Sequence, residues 1–153
     1  MIAVDTNVLI HAHRQDSAFH PQASLVLREL AQGAAVWAIP WPCLHEFYGI
    51  VTHPNRFKPP STLQQGLDQL QFWQASPSLR IIGEGPQHLA VLTDLLRKGQ
   101  VTGPMVHDAR IAAICLAHGV RELWTLDRDF SRFPQLRCRN PLVDAYVTSH
   151  SKP

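Results

Sequence analysis

Short apolar segments alternate with longer amphipathic segments along this chain, and the alternation predicts strands separated by helices. The apolar run Ile2–Val4 is followed at once by Asp5, Thr6 and Asn7, so we expect a buried strand that passes directly into the first turn of a helix. Further short apolar runs predict strands at residues 36–39, 80–82 and 123–126.

Proline and glycine mark the limits of the predicted helices. Proline suits the first helical turn because it has no N–H group to leave unpaired, and glycine is common just past the last turn. Ser61 and Gln64 have the spacing of a capping box, which predicts the start of a helix that runs to about Trp73. The other helices begin near Pro21, Pro42 and Pro86 and after Pro104, and they end before Gly33, Pro54, Gly99 and Gly119.

This order of elements is typical of an α/β fold with a central, mostly parallel sheet and helices on both faces. A length of 153 residues, 45% of them apolar, suits a single domain with a substantial core. We place this domain at residues 1–145 and a polar C-terminal tail at residues 146–153. In such sheets ligands bind beyond the carboxyl ends of the strands.

Composition excludes several classes of protein. The formal net charge is only +2, although residues 97–153 carry nine basic side chains against five acidic ones. The three cysteines lack CxxC spacing, no secretory leader precedes them, and no uncharged stretch reaches the ~18 residues that a membrane helix needs. The nine histidines show no zinc-binding motif. We therefore expect a cytoplasmic protein without a membrane span or a zinc site.

Four acidic residues occupy positions from which they can meet. Asp5 and Asp127 follow predicted strands, Asp108 lies in the first turn of a predicted helix, and Glu46 lies within another helix. Each of them has an ordinary role available, as an N-cap, a turn residue or part of a solvated helix face. Their joint placement at one edge of a parallel sheet favours a shared site instead.

A cluster of carboxylates needs a countercharge. Two carboxylates about 5 Å apart repel each other by about 3 kcal/mol at an effective dielectric constant near 20, and a divalent cation removes that repulsion. Mg²⁺ and Mn²⁺ prefer oxygen ligands, and Mg²⁺ is often completed by substrate phosphates. The sequence therefore predicts a Mg²⁺ or Mn²⁺ site for phosphate chemistry in which an activated water attacks.

Four segments, in their order and spacing, resemble those of PIN-domain nucleases, and most of all the VapC-type toxins of bacterial toxin–antitoxin pairs. The resemblance covers roughly residues 2–143, and Asn140-Pro141 also fits it. The segments are Val4-Asp5-Thr6-Asn7-Val8-Leu9-Ile10, Glu46 in its helix, His107-Asp108-Ala109-Arg110-Ile111-Ala112-Ala113 and Thr125-Leu126-Asp127-Arg128-Asp129-Phe130.

The resemblance implies a single PIN-like domain and indicates which side chains form its site. The catalytic and metal-binding carboxylates are Asp5, Glu46, Asp108 and Asp127, with Asp129 as a further candidate for a metal ligand. The side chains expected to support these carboxylates or to orient a phosphate are Thr6, Asn7 and Thr125.

The same resemblance implies an endoribonuclease that hydrolyses RNA phosphodiester bonds with the help of Mg²⁺ or Mn²⁺, acting as the toxin of a toxin–antitoxin pair. It implies structured substrates such as tRNA or rRNA, a homodimer, and an antitoxin that covers the acidic cleft. Arg110, Arg128 and Arg132 are candidates for RNA contact, because cations that neutralise phosphates release counterions. A solvated surface position is an equally good interpretation of each, and Arg110 can instead pair with an acid of the chain.

Two other functions fit parts of the sequence. A non-catalytic PIN-type RNA-binding or scaffolding protein would have the same fold, although the presence of all four acids argues against a lost site. An aspartate-nucleophile phosphatase also begins with a strand followed by an aspartate, but Asn7 stands where such an enzyme carries its general acid. Metal-stimulated cleavage of RNA separates the ribonuclease from both.

Overall fold

Five short parallel strands form the centre of the protein, in the order β3-β2-β1-β4-β5. The computed structural model describes residues 1–143, so the predicted domain boundary at residue 145 and the tail at 146–153 lie outside the described residues. The strands are β1 (Ile2–Val4), β2 (Trp37–Pro40), β3 (Leu79–Ile82), β4 (Glu122–Trp124) and β5 (Cys138–Arg139).

Helices connect the strands and cover both faces of the sheet. They are α1 (Thr6–His13), α2 (His20–Gln32), α3 (Trp41–Val51), α4 (Leu63–Gln74), α5 (His88–Gly99) and α6 (Val106–Ala117), with short 3₁₀ helices at Gly103–Met105 and Arg128–Arg132. Because crossover connections between parallel strands are right-handed, α1 to α4 lie on one face, and α5 and α6 lie on the other. The predicted α/β fold is confirmed.

The order of the strands reverses between β1 and β4. The chain leaves β1 towards β2 and β3 on one side, returns through α5 and α6 to β4 on the other side of β1, and continues outward to β5. Loops that leave two such strands diverge and open a crevice at their carboxyl ends, which is where α/β proteins bind ligands. Asp5 follows β1, and Thr125 follows β4.

The core is built from large side chains on both faces of the sheet. Trp37, Phe47, Phe130 and Phe133 are fully buried, as is Leu9 on α1. Burial of such side chains stabilises the fold by about 1.5–3 kcal/mol each. They all belong to one hydrophobic core, which joins α1 near the start of the chain to the segment after β4 near its end. Within residues 1–143, every helix is too short or too polar to cross a bilayer.

The capping box of α4 lies one residue later than predicted. Thr62 Oγ1 accepts a hydrogen bond from Gln65 N at 3.1 Å, and Gln65 Oε1 accepts one from Thr62 N at 2.9 Å. The predicted cap, Ser61, is buried, and its hydroxyl lies 2.8 Å from His13 Nε2 on α1. The exposed threonine therefore caps the helix, because the serine is used in a contact between α1 and the loop before α4.

Three details of the strands and of a helix end also differ from the predictions. β4 covers residues 122–124 instead of 123–126, because the chain turns at Thr125 towards the crevice, and β5 was missed because two residues carry no periodic pattern. Gly99 does not follow α5 but ends it, and Gln100 adopts the left-handed conformation with φ of 49°.

Candidate active site

Asp5 lies at the junction of β1 and α1, where its carboxylate is buried and surrounded by donors. Its Oδ1 accepts hydrogen bonds from Thr6 N at 2.8 Å and from the Cys43 thiol at 3.5 Å. Its Oδ2 accepts from the Thr125 hydroxyl at 2.7 Å and from Asn7 Nδ2 at 3.4 Å. Burial raises the pKa of Asp5, and the donors from Thr125 and Thr6 offset part of that rise. The carboxylate is therefore held in one orientation.

Thr125 connects the two strand ends that form the crevice. Its hydroxyl donates to Asp5 Oδ2 and accepts from Asp127 N at 3.0 Å and from Asn7 Nδ2 at 3.3 Å. Asn7 completes the link, because its Oδ1 accepts from Leu126 N at 3.1 Å. The start of α1 and the turn after β4 are thus fixed to each other by side chains about 120 residues apart in sequence.

Glu46 reaches the same edge from α3. Its Oε2 accepts a hydrogen bond from the Thr6 hydroxyl at 2.7 Å, while the residue itself is exposed. α3 begins immediately after β2, and it packs against α1, which places the second turn of α3 beside the first turn of α1. Glu46 therefore has one carboxylate oxygen held by a hydrogen bond, while the side chain remains accessible to solvent.

The three remaining acids form the solvent-facing part of the site. Asp108 in α6, together with Asp127 and Asp129 in the turn after β4, offers carboxylate oxygens that all lie within 4.8 Å of one another. Asp127 Oδ1 also accepts from Asp129 N at 2.8 Å, which caps the 3₁₀ helix. In the part of the chain that the structure describes, this is the one group of three potential metal ligands that meets that distance.

The electrostatics of Asp108 show that all five predicted acids share one edge of the sheet. Burial first, and then the charges of Asp127, Asp5, Asp129 and Glu46, raise the pKa of Asp108 to about 6. Asp5 and Glu46 do not belong to the trio of Asp108, Asp127 and Asp129, but they are close enough to act on it. Oxygen donors and repelling charges of this kind fit a hard divalent cation.

The three arginines predicted to contact RNA have different surroundings. Arg110 forms an ion pair with Glu84, and the guanidinium lowers the pKa of that carboxyl group. Arg128 is exposed beside Asp127, and Arg132 is exposed and donates to the Gly99 carbonyl at 3.4 Å. Arg110 thus has the internal partner that the sequence left open.

A recess of about 270 Å³ adjoins the carboxylates between α3 and α6. Its lining residues are Pro42, Glu46, His107, Arg110 and Ile111. The position of Glu84 just after β3 could have marked it as a site residue, by the same rule that identified Asp5. The thiol of Cys43 gave no such signal, because its contact with Asp5 depends on how α3 packs.

The profile of the PIN domain matches residues 2–136. The chain belongs to the PIN-domain family. Among the relatives of this PIN domain, ribonuclease VapC43 of Mycobacterium tuberculosis is 31% identical over 142 residues, which cover 93% of this chain and 96% of the relative. The resemblance to PIN domains and to proteins of the VapC type is confirmed.

Solved structures share the fold of this PIN domain. The M. tuberculosis protein VapC20, described as a sarcin-ricin loop cleaving toxin, superimposes with a TM-score of 0.63 at 19% identity, over 86% of this chain and 93% of that one. A chain of a toxin–antitoxin complex from Klebsiella pneumoniae gives a TM-score of 0.61 at 18% identity, over 92% and 98%.

Proposed function

We propose that this PIN domain is an endoribonuclease that requires a divalent metal ion, Mg²⁺ or Mn²⁺, and that it acts as the toxin of a toxin–antitoxin pair. The observation that carries the proposal is the meeting of five carboxylates, Asp5, Glu46, Asp108, Asp127 and Asp129, at the strand-order reversal. Without a cation these charges oppose one another, so the arrangement favours binding of one.

The trio of Asp108, Asp127 and Asp129 would hold the ion, and Asp5 and Glu46 would add negative charge near it. A divalent cation bound there supplies positive charge next to a phosphodiester and lowers the pKa of water. The donor set contains oxygen alone, which suits Mg²⁺ or Mn²⁺ better than zinc.

The side chains around the acids keep them in place for this chemistry. Thr125 and Asn7 fix Asp5, and Thr6 fixes one oxygen of Glu46. The exposed remainder of Glu46 can accept a hydrogen bond from a water or from a ribose hydroxyl at the open edge. Prearranged groups of this kind cost no reorganisation when the phosphodiester reacts.

The similarity to VapC43 and VapC20 supports RNA as the substrate, and the toxin–antitoxin complex supports an antitoxin as the partner. We propose structured RNA, such as tRNA or rRNA, as the target in the cytoplasm, and a homodimer as the assembly. The acidic edge would attract a basic segment of the antitoxin by charge complementarity.

Cleavage of RNA by the purified full chain tests the proposal. We expect new RNA ends in Mg²⁺ or Mn²⁺ and none in chelator, mapped by primer extension on total RNA. Asp127→Asn should reduce the rate by more than about 100-fold, because it removes a ligand charge. The asparagine oxygen can still accept from Asp129 N, so the fold should persist, which circular dichroism checks.

Three outcomes would contradict the proposal. Equal cleavage in chelator would exclude a metal-dependent reaction. Binding of RNA without any metal-stimulated cleavage would favour the non-catalytic alternative, and a phosphoryl group trapped on Asp5 would favour the phosphatase.

A further inference from the structure

The recess beside the carboxylates is lined by an arginine, Arg110, whose ion-pair partner lies outside the recess. Arg110 lines the recess together with Glu46 and His107, and its guanidinium pairs with Glu84 from the loop after β3. Arg110 lies two residues after Asp108 on α6, and side chains at that spacing point to different sides of a helix, so Arg110 is close to the acids through Glu46, which lines the same recess. Arg110 therefore shares a cavity with one of the five carboxylates.

Glu84 reaches Arg110 from a turn that contains a glycine on each side of it. Gly83 and Gly85 flank the glutamate, and a hydrogen bond of 2.8 Å between His118 Nε2 and the Gly83 carbonyl anchors the base of the turn. The loop is therefore attached to the residue that follows α6, independently of the ion pair between Glu84 and Arg110. A Cβ added at Gly85 would meet no neighbouring atom within 4 Å, whereas one added at Gly83 would lie 3.1 Å from Trp41 Cδ1, so the turn is packed before Glu84 and open after it.

The ion pair itself is exposed enough to be exchanged. The side chains of Arg110 and Glu84 are 40% and 36% exposed. Pairs of this kind contribute little net stability, because water and salt compete with them. A phosphate presents several oxygens to the planar fork of an arginine, so it can replace the carboxylate without loss of hydrogen bonds.

We propose that the recess lined by Glu46, His107 and Arg110 is a subsite for a backbone phosphate of the RNA next to the cleaved bond, and that Glu84 occupies Arg110 until that phosphate displaces it. This inference rests on the proposed ribonuclease function. Five acids repel a polyanion, so an adjacent cation is needed to dock the strand. Because Glu84 competes for Arg110, binding of the phosphate should be weaker and less dependent on salt than binding to an unpaired arginine would be.

The salt dependence follows from counterion release. When a free arginine neutralises a phosphate on a single strand, about 0.7 of a counterion is released, and the plot of log Kd against log salt steepens by that amount. When Arg110 exchanges Glu84 for a phosphate, salt also weakens the competing ion pair by screening, and this offsets part of the salt dependence of binding. Removal of the glutamate charge should therefore change both the affinity and the slope.

The test is binding of a fluorescein-labelled RNA of about 12 nucleotides to the full chain, measured by anisotropy in chelator from about 50 to 200 mM KCl. We expect Glu84→Gln to lower Kd by about 1.5- to 5-fold at low salt and to steepen the slope by up to about 0.7. With Mg²⁺ or Mn²⁺ the same change should lower KM and leave kcat unaltered.

A double mutant and a matched control make the test specific. Arg110→Gln should weaken binding, and in the double variant the tightening by Glu84→Gln should disappear. Asp94 is also an exposed acid in an ion pair, with Lys98 in the last turn of α5. The control variant Asp94→Asn should leave the slope of log Kd against log salt unchanged. Equal tightening by Asp94→Asn, or tightening that persists without Arg110, would overturn the proposal.

A structural role for the ion pair gives a different result. If Glu84 only fastens its loop, Glu84→Gln should lower the melting temperature and leave RNA binding unchanged or weaker, and this would overturn the subsite. Failure of the proposed function is distinguishable, because it appears as absence of metal-stimulated cleavage by the parent protein. Cleavage by the parent with no response to Glu84→Gln removes the subsite alone.

Discussion

The buried and open halves of the carboxylate cluster are held by different forces. On the buried side, Asp5 receives donors from Thr6, Cys43, Thr125 and Asn7. On the open side, the trio of Asp108, Asp127 and Asp129 gathers like charges within 4.8 Å with few donors between them. The fold therefore fixes the buried carboxylate without a metal ion, whereas the three open carboxylates repel one another until a cation binds.

This contrast assigns different tasks to chemically identical groups. A carboxylate surrounded by hydrogen-bond donors keeps one orientation whether or not the metal is bound. Carboxylates that repel one another store unfavourable electrostatic energy, which metal binding relieves. Substitutions on the buried side should therefore damage both the fold and the activity, whereas substitutions on the open side should separate the two.

The largest effect is expected from Asp5→Asn. An amide in this position turns an NH₂ group towards one of the converging donors, and an unsatisfied buried group of this kind costs about 1–3 kcal/mol. We expect RNA cleavage to fall by more than about 100-fold and the melting temperature to fall as well. Asp68→Asn, an exposed acid on α4, is the control. Cleavage by Asp5→Asn at the parent's rate would show that Asp5 takes no part in the site.

Substitution of Thr125 sharpens the comparison, because it tests the link between the two halves. Thr125→Val removes the hydroxyl that donates to Asp5 and accepts from Asp127 N. We expect a loss of about 10- to 100-fold in kcat, as for other groups that orient metal ligands. Thr125→Ser keeps the hydroxyl and should retain most of the activity. If valine and serine behave alike, the hydroxyl does not position the carboxylates.

The smallest effect is expected on the thermal stability of a variant in the open trio, Asp108→Asn. Asp108→Asn removes one repelling charge, so in chelator at pH 7.5 the variant should melt about 2–4 °C above the parent, which corresponds to about 1 kcal/mol in a domain of this size. Added Mg²⁺ should stabilise the parent and have little effect on the variant. Calorimetry with and without the ion measures both shifts.

The pH dependence of this difference has a definite sign. The pKa of Asp108 is raised to about 6 in the folded protein, above its ordinary value of 3.8, so folding favours the protonated form. The contribution of Asp108 to the stability of the parent should therefore rise as the pH falls from above 6 towards 4, and the difference between the parent and Asp108→Asn should vanish there. A difference that grows on acidification would contradict the repulsion.

Much of the fold was readable from local patterns. Ile2–Val4 followed by Asp5 identified a strand that enters a helix, because apolar runs and N-caps are properties of neighbouring residues. The capping box at Thr62 was displaced by one residue for a reason that no local pattern contains, namely the contact of Ser61 with His13 on α1. The strand β5 likewise exists only through its pairing with β4.

The sequence by itself determined which acids stand at the ends of elements and that the elements form an α/β domain, since these features depend on periodicity and capping over a few residues. Only the tertiary structure decided which acids meet. It brought Asp129 beside Asp108, enclosed Asp5 with Cys43 and paired Arg110 with Glu84. These contacts join residues up to 38 positions apart, and such distances are set by the packing of the helices on the sheet.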